Sequence, residues 1–183
     1  MFISTHAYSA QVLGQRVSET LPKFMQDLQH LRHLQAAWAN HKITHRTAQL
    51  LALAERIEAN KPELAAAVCM EVGRCLRECE AEIDKTVDLI RYYAKLAPEL
   101  LDSKTITTQA SLSQVRFEPL GVVLAVMPWN YPVWQIMRFA VPALCAGNAC
   151  LVKPAPSVAQ VTAKLMALVD EAMPLHASYI EHD

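Results

Sequence analysis

Asn130 and Lys153 are the two side chains whose type and position invite chemistry. Asn130 stands in Met127-Pro128-Trp129-Asn130-Tyr131-Pro132, between two prolines whose rings fix φ and remove an N–H, so its amide is held in a turn of set shape after an apolar run. Lys153 closes the next apolar run, Ala149 to Lys153, just before Pro154. If the two runs are adjacent parallel strands, both side chains arrive at the carboxyl edge of one sheet, where open α/β sheets bind ligands. An amide donor and a fixed cation there suit an oxyanion and a ribose or phosphate group. Plainer uses stand beside these. Asn130 can cap the following helix as an Asx turn, and Lys153 can be a solvated strand end.

Other chemistries are excluded by composition. The four glycines, Gly14, Gly73, Gly121 and Gly147, are too far apart for a G-x-G-x-x-G turn or a P-loop. Cys145 falls in a helical pattern and Cys150 in a buried strand, neither of them the accessible, electropositive place that a reactive thiolate needs. Cys69, Cys75 and Cys79 complete an odd set of five at no C-x-x-C spacing, so structural thiols are expected rather than disulfides. No metal site is expected, because Cys75 and Cys79, one helical turn apart, have no partner pair of ligands nearby. His30 with His33, and His41 with His45, read as solvated helix faces. The 17 basic and 18 acidic residues are interspersed, which rules against nucleic-acid binding. The longest apolar run, residues 120–129, is about half of the ~20 residues a membrane span needs, and residues 1–9 lack the basic and apolar regions of a signal peptide. The chain reads as soluble and cytoplasmic.

The elements that must position the two side chains follow from periodicity. Residues 1–19 read as extended segments or a frayed arm. A helix is expected over residues 21–40, and a second is capped by Thr44, with Leu50, Leu53, Ala54 and Ile57 on one buried stripe. Pro62 opens a third helix that Gly73 closes. A long fourth one buries Leu76, Ile83, Val87 and Ile90, turns Glu78, Glu82, Asp84 and Lys85 to water, and ends near Pro98. Residues 105–117 alternate weakly, as a projecting ribbon would. Residues 121–127 form a continuous β-branched and apolar run expected to be buried on both sheet faces. A helix over 133–146, a strand over 149–153 and a helix through 172 complete β-α-β-α, the start of a doubly wound α/β sheet.

The block "FEPLGVVLAVMPWNYPVWQIMRFAVPALCAGNACLVKPA", with Trp38, "RTAQLLALAERIEANKPELA" and "MEVGR" upstream, resembles the aldehyde dehydrogenase superfamily over residues 14–172. "MPWN-aromatic-P-x-WQ-x-MR" is most similar to bacterial NAD(P)-dependent succinate-semialdehyde dehydrogenases. The resemblance implies an N-terminal helical segment over 1–104, ribbon strands over 105–118, an incomplete NAD(P)-binding β-α-β-α over 119–173 and a tail, 174–183, outside the family pattern. It also implies roles. Asn130 matches the oxyanion amide, Met127, Pro128 and Trp129 the backbone that borders the cofactor, and Lys153 the residue that hydrogen-bonds the adenosine ribose. Arg138 matches the position that helps to hold a substrate carboxylate, a task that suits a guanidinium fork. Pro156 stands where many NAD-preferring members have a glutamate, so NADP or NAD is implied as cofactor.

The chain departs from the family in lacking the thiolate that attacks the aldehyde and the glutamate that activates water. Its last ten residues are expected to be neither strand nor helix, as after a frameshift or early stop. Two readings follow. One is an aldehyde-oxidising enzyme by descent that is inactive alone. The other is a non-catalytic fragment whose uncovered apolar sheet faces self-associate or dock on a complementing chain.

Overall fold

Residues 1–179 are described by a computed structural model of the chain. Four helices are built first, each with a legible start. Thr20 accepts the Lys23 N–H to open α1 (Leu21–Asn40). The next helix, α2 (Ile43–Ala59), is capped by Lys42 rather than Thr44, which lies within the first turn and accepts the Thr47 hydroxyl. Pro62 lies in the first turn of α3 (Lys61–Val72), and Gly73 closes it at φ 82°, the left-handed conformation only glycine adopts freely. Finally α4 (Leu76–Leu100) runs past Pro98 to its own last turn. Its buried stripe starts at Cys79, Leu76 being exposed.

The N-terminal arm is not frayed. It folds as a hairpin of β1 (Phe2–Thr5) and β2 (Val12–Arg16), tied to α3 by the Ala7 N–H, which donates to the Met70 carbonyl at 2.8 Å. The expected ribbon is present as two short exposed strands, β3 (Lys104–Thr105) and β4 (Gln114–Val115), paired antiparallel.

The remainder is α/β. Strand β5 (Val122–Val126), helix α5 (Pro132–Cys145), strand β6 (Ala149–Lys153), a 3-10 turn (Pro156–Val158) and helix α6 (Ala159–Ala167) lead to strand β7 (Leu175–Ala177). The three strands are parallel in the order β5-β6-β7. Two expectations are corrected here. Helix α6 stops at Ala167 instead of residue 172, and residues 175–177 of the supposed patternless tail pair with β6, the Cys150 N–H donating to the Pro174 carbonyl at 2.7 Å. Residues 180–183 of that tail lie outside the described residues.

One continuous core joins helices to sheet. Ile83, Val87 and Ile90 of α4 share it with Leu50, Leu53 and Ile57 of α2 and Ile136, Met137 and Leu144 of α5, all of them buried. The Trp38 indole N–H donates to the Leu144 carbonyl at 2.8 Å, which locks α1 to the end of α5. On the other sheet face, Leu31 packs on Ala149 and Leu151, with Val122 alongside. That cover stops short. Leu124 and Val126, on the Val122 side of the same strand, are 57% and 68% exposed, so β5 is not buried on both faces as its composition implied.

Truncating Ile83 to Ala is expected to destabilise the chain by about 2–5 kcal/mol in urea unfolding, because the cavity opens where α2, α4 and α5 meet. Leu124→Ala is expected to change stability by no more than about 0.5 kcal/mol, since its side chain already faces water.

Candidate functional site

Glu82 decides where the Pro-Trp-Asn turn sits. Expected to face water, it is buried on α4, and its Oε1 accepts the N–H groups of Val133 and Trp134 at 2.9 and 3.0 Å. These are first-turn donors of α5, which have no intrahelical partner and carry the positive end of the helix dipole. The other oxygen, Oε2, pairs with Arg74. The Arg74 guanidinium also lies 4.1 Å from the centre of the Tyr131 ring, and the Lys85 ammonium lies 4.0 Å from that of Trp134. A carboxylate, two helix N–H groups and two cation–π contacts thus hold the residues that directly follow Asn130.

The first-turn N–H groups of α5 are taken by Glu82, and no side chain at the Tyr131 cap position supplies a bond, so the capping work is done without the Asn130 amide. Asn130 is exposed and lines a cavity of about 510 Å3 with Arg74, Lys85, Tyr131, Trp134 and Gln135.

Lys153 ends β6 opposite Val126, half-buried, and its carbonyl accepts the Met127 N–H at 2.9 Å. That bond carries the parallel ladder one residue past β5 and lays Met127, Pro128 and Trp129 along the carboxyl edge of the sheet. The structure therefore brings Met127, Pro128, Trp129, Asn130 and Lys153 to one edge. It does not put Asn130 and Lys153 in one cavity, because Lys153 is absent from the lining around Asn130. Arg138 is exposed on α5, outside that lining, and makes no ion pair among the described residues.

Three of the five thiols are buried and held protonated. Burial pushes Cys150 up to about 12, and pushes Cys145 and Cys79 up to about 11 against the opposing pull of Arg46 and Arg74 respectively. Cys75 is exposed at the cap of α4 and Cys69 is half-buried on α3.

Sequence reasoning missed Glu82, Arg74 and Lys85. A signal for the first was present, since Glu82 falls on the stripe Cys79, Ile83, Thr86, Val87 and Ile90, where a polar residue is buried with the rest.

Comparison with known proteins fits this geometry. The model of the "Aldehyde dehydrogenase family" matches residues 5–177. A probable succinate-semialdehyde dehydrogenase [NADP(+)] of Synechocystis sp. is 40% identical over 144 residues, covering 79% of this chain and 30% of that protein. A succinate semialdehyde dehydrogenase [NAD(P)+] of Escherichia coli is 32% identical over 160 residues, covering 85% and 35%. The crystal structure of succinic semialdehyde dehydrogenase from Streptococcus pyogenes with NADP+ superposes with a TM-score of 0.92 at 26% identity, over 100% of this chain and 41% of that one. The chain thus spans about a third of the length of the relatives it matches.

Glu82→Ala is expected to cost about 3–5 kcal/mol in thermal or urea unfolding, because it strands Arg74 and two helix N–H groups, while Glu82→Gln, which keeps an acceptor oxygen, costs less. Mass spectrometry after brief alkylation near neutral pH is expected to find Cys75 modified and Cys79, Cys145 and Cys150 protected until the chain unfolds. The pH dependence follows in sign. These three thiols titrate at about 11–12 when folded and near 9.0 when exposed, so the unfolded chain loses their protons first and stability falls as pH rises above 9.0.

Proposed function

Because this chain belongs to the aldehyde dehydrogenase family, we propose that it supplies the oxyanion amide and one wall of the cofactor site for oxidation of succinate semialdehyde to the acid with NADP or NAD. The observation that carries the reading is the arrival of Asn130 and Lys153 at the carboxyl ends of adjacent parallel strands. The names of the relatives supply the substrate and the coenzymes.

The residues at that edge fit one side of a dinucleotide. Lys153 is half-buried at a strand end whose backbone is fixed, which suits its ammonium to donate to ribose hydroxyls, with the backbone of Met127, Pro128 and Trp129 as the border beside it. Pro156, in the first turn after β6, offers no carboxylate to repel a 2′-phosphate, which favours tolerance of NADP. Bound there, the nicotinamide cofactor supplies the acceptor for hydride. Asn130 acts on the substrate side. Its Nδ2 donates to the oxygen that gains negative charge when a thiolate adds to the aldehyde carbonyl, and the clamped turn keeps that donor aimed before the charge develops. Arg138 is proposed to meet the far carboxylate of the substrate.

The thiolate and the water-activating glutamate are proposed to come from sequence outside this chain. Three of its own thiols are held protonated in the core. In this reading residues 1–104 are the helical support, 105–118 the ribbon and 119–173 the first part of the cofactor domain, and the chain is inactive alone. A second reading, a docking or complementing fragment, is favoured by one observation. Leu120, Leu124, Val126 and Trp129 are all more than half exposed along the free edge strand β5.

The chain alone, assayed with succinate semialdehyde and NADP or NAD, is expected to give no coenzyme reduction. Mixed with the C-terminal part of a related dehydrogenase it is expected to turn over, with Asn130→Ala lowering kcat about 10²–10³-fold and Lys153→Ala raising KM for coenzyme. Turnover by the chain alone, or a complemented Asn130→Ala variant with unchanged kcat, refutes the assignment.

A further inference from the structure

On the side of the sheet covered by α1, Glu19, Asp27 and His176 converge from the segment before α1, from α1 and from β7. One ligand atom from each lies within 4.8 Å of the others. Sequence gave no hint of this, because the donors are far apart along the chain.

Two features set this cluster apart from a surface patch of charge. Asp27 Oδ2 and His176 Nε2 are sealed from solvent, have no hydrogen-bond partner, and stand 3.7 Å apart. The Asp27 side chain is 13% exposed and the His176 side chain 42%, and the two atoms face each other as an ion pair too long for a hydrogen bond, so neither has its hydrogen-bonding capacity filled. A separation of 3.7 Å is what two ligands make at an angle of about 120° when each is about 2.1 Å from one ion. The second feature is orientation. Lys23 engages the other oxygen of Asp27, the Ser178 hydroxyl donates to Glu19 Oε2, and the Glu19 N–H donates to the Tyr179 carbonyl at 2.8 Å. Asp27 is thus held by one oxygen while the other faces the cluster, and Glu19 is oriented by its Ser178 and Tyr179 contacts, the kind of support that a metal-binding group receives.

Beside the cluster lies a cavity of about 310 Å3 lined by Asp27, His30, Asp170, Glu171 and His176 together with apolar side chains, and no lysine or arginine lines it. Arg56 approaches Asp170 only at 3.8 Å. Asp27 and His176 border this cavity and Glu19 does not, so water would reach an ion in the cluster from the Asp27 and His176 side.

We propose that Glu19, Asp27 and His176 bind a divalent transition-metal ion of the zinc or cobalt class. Two carboxylates and one imidazole suit these ions, with water in the remaining positions. The ion joins β7 to α1 and to the segment before it, so its role is to fasten the third strand to the helical layer. The site is independent of the assignment of Asn130 and Lys153, and it stands or falls by its own test.

The purified 183-residue chain, stripped with chelator, is titrated with Zn2+ by calorimetry and with Co2+ by visible absorption, and its thermal unfolding is followed with and without Zn2+. One ion per chain and a raised Tm are expected. Binding is expected to weaken about tenfold or more in His176→Gln and in Asp27→Asn, and to be unchanged in the His41→Gln/His45→Gln double variant, whose rings lie 4.2 Å apart on the surface and are the obvious competing site. The His176→Gln and Asp27→Asn variants are read together so that a misfolded one, detected by circular dichroism, does not decide the matter. Absence of binding by the unaltered chain, binding that survives both Asp27→Asn and His176→Gln, or binding lost with His41 and His45 overturns the proposal.

Discussion

A buried carboxylate with all its bonds made is the constraint on which the site rests. Glu82 would be prohibitively costly inside the core as a lone charge. It is retained because two helix N–H groups share one oxygen and a guanidinium meets the other. The bond spans 51 residues and ends three residues after Asn130, so α4 sets the position of the turn that carries the amide. Tyr131 and Trp134, each met by a cation, anchor the start of the helix that follows the turn.

The same device recurs one βα unit later. Glu71 of α3 is also buried, accepting the Gln160 N–H on one oxygen and the Val161 N–H on the other, at 2.9 and 2.8 Å, while the Ser4 hydroxyl of β1 joins it. Each of the two helices that follow a strand is therefore seated on a glutamate from the helical segment. The two parts of the chain are fastened electrostatically as well as by the apolar core. This places the rigid end of each helix at the carboxyl edge of the sheet, where β5 and β6 present Asn130 and Lys153. The same carboxylate helps to dock the N-terminal hairpin, giving the Ser4 hydroxyl a buried partner beside the Ala7–Met70 backbone bond.

Reactivity is distributed accordingly. Thiols in the core are kept protonated by desolvation, and polar groups capable of chemistry stand on the open edge. The apolar side of β5 beyond the reach of α1 remains uncovered, next to that edge. The Asn130 amide stands beside this exposed apolar strand, in a chain that covers 41% of the longer Streptococcus pyogenes enzyme.

What residue pattern alone determined is local. Pro62 and Gly73 punctuate α3, the stripe Leu50, Leu53, Ala54 and Ile57 forecasts α2, and the apolar runs forecast β5 and β6, because backbone restriction and side-chain period act over a few residues. Pro-Trp-Asn and Lys-Pro marked the candidate site and the family for the same reason. Other features were not legible. Leu175–Ala177 is too short a run to read as a strand until β6 offers it a free edge. Leu124 and Val126 carry strand composition whether or not a helix lies over them. Glu71, Glu82 and the meeting of Glu19, Asp27 and His176 depend on which distant elements pack together. Burial of a charge, and its partner, are properties of that packing, so only the tertiary structure decided them.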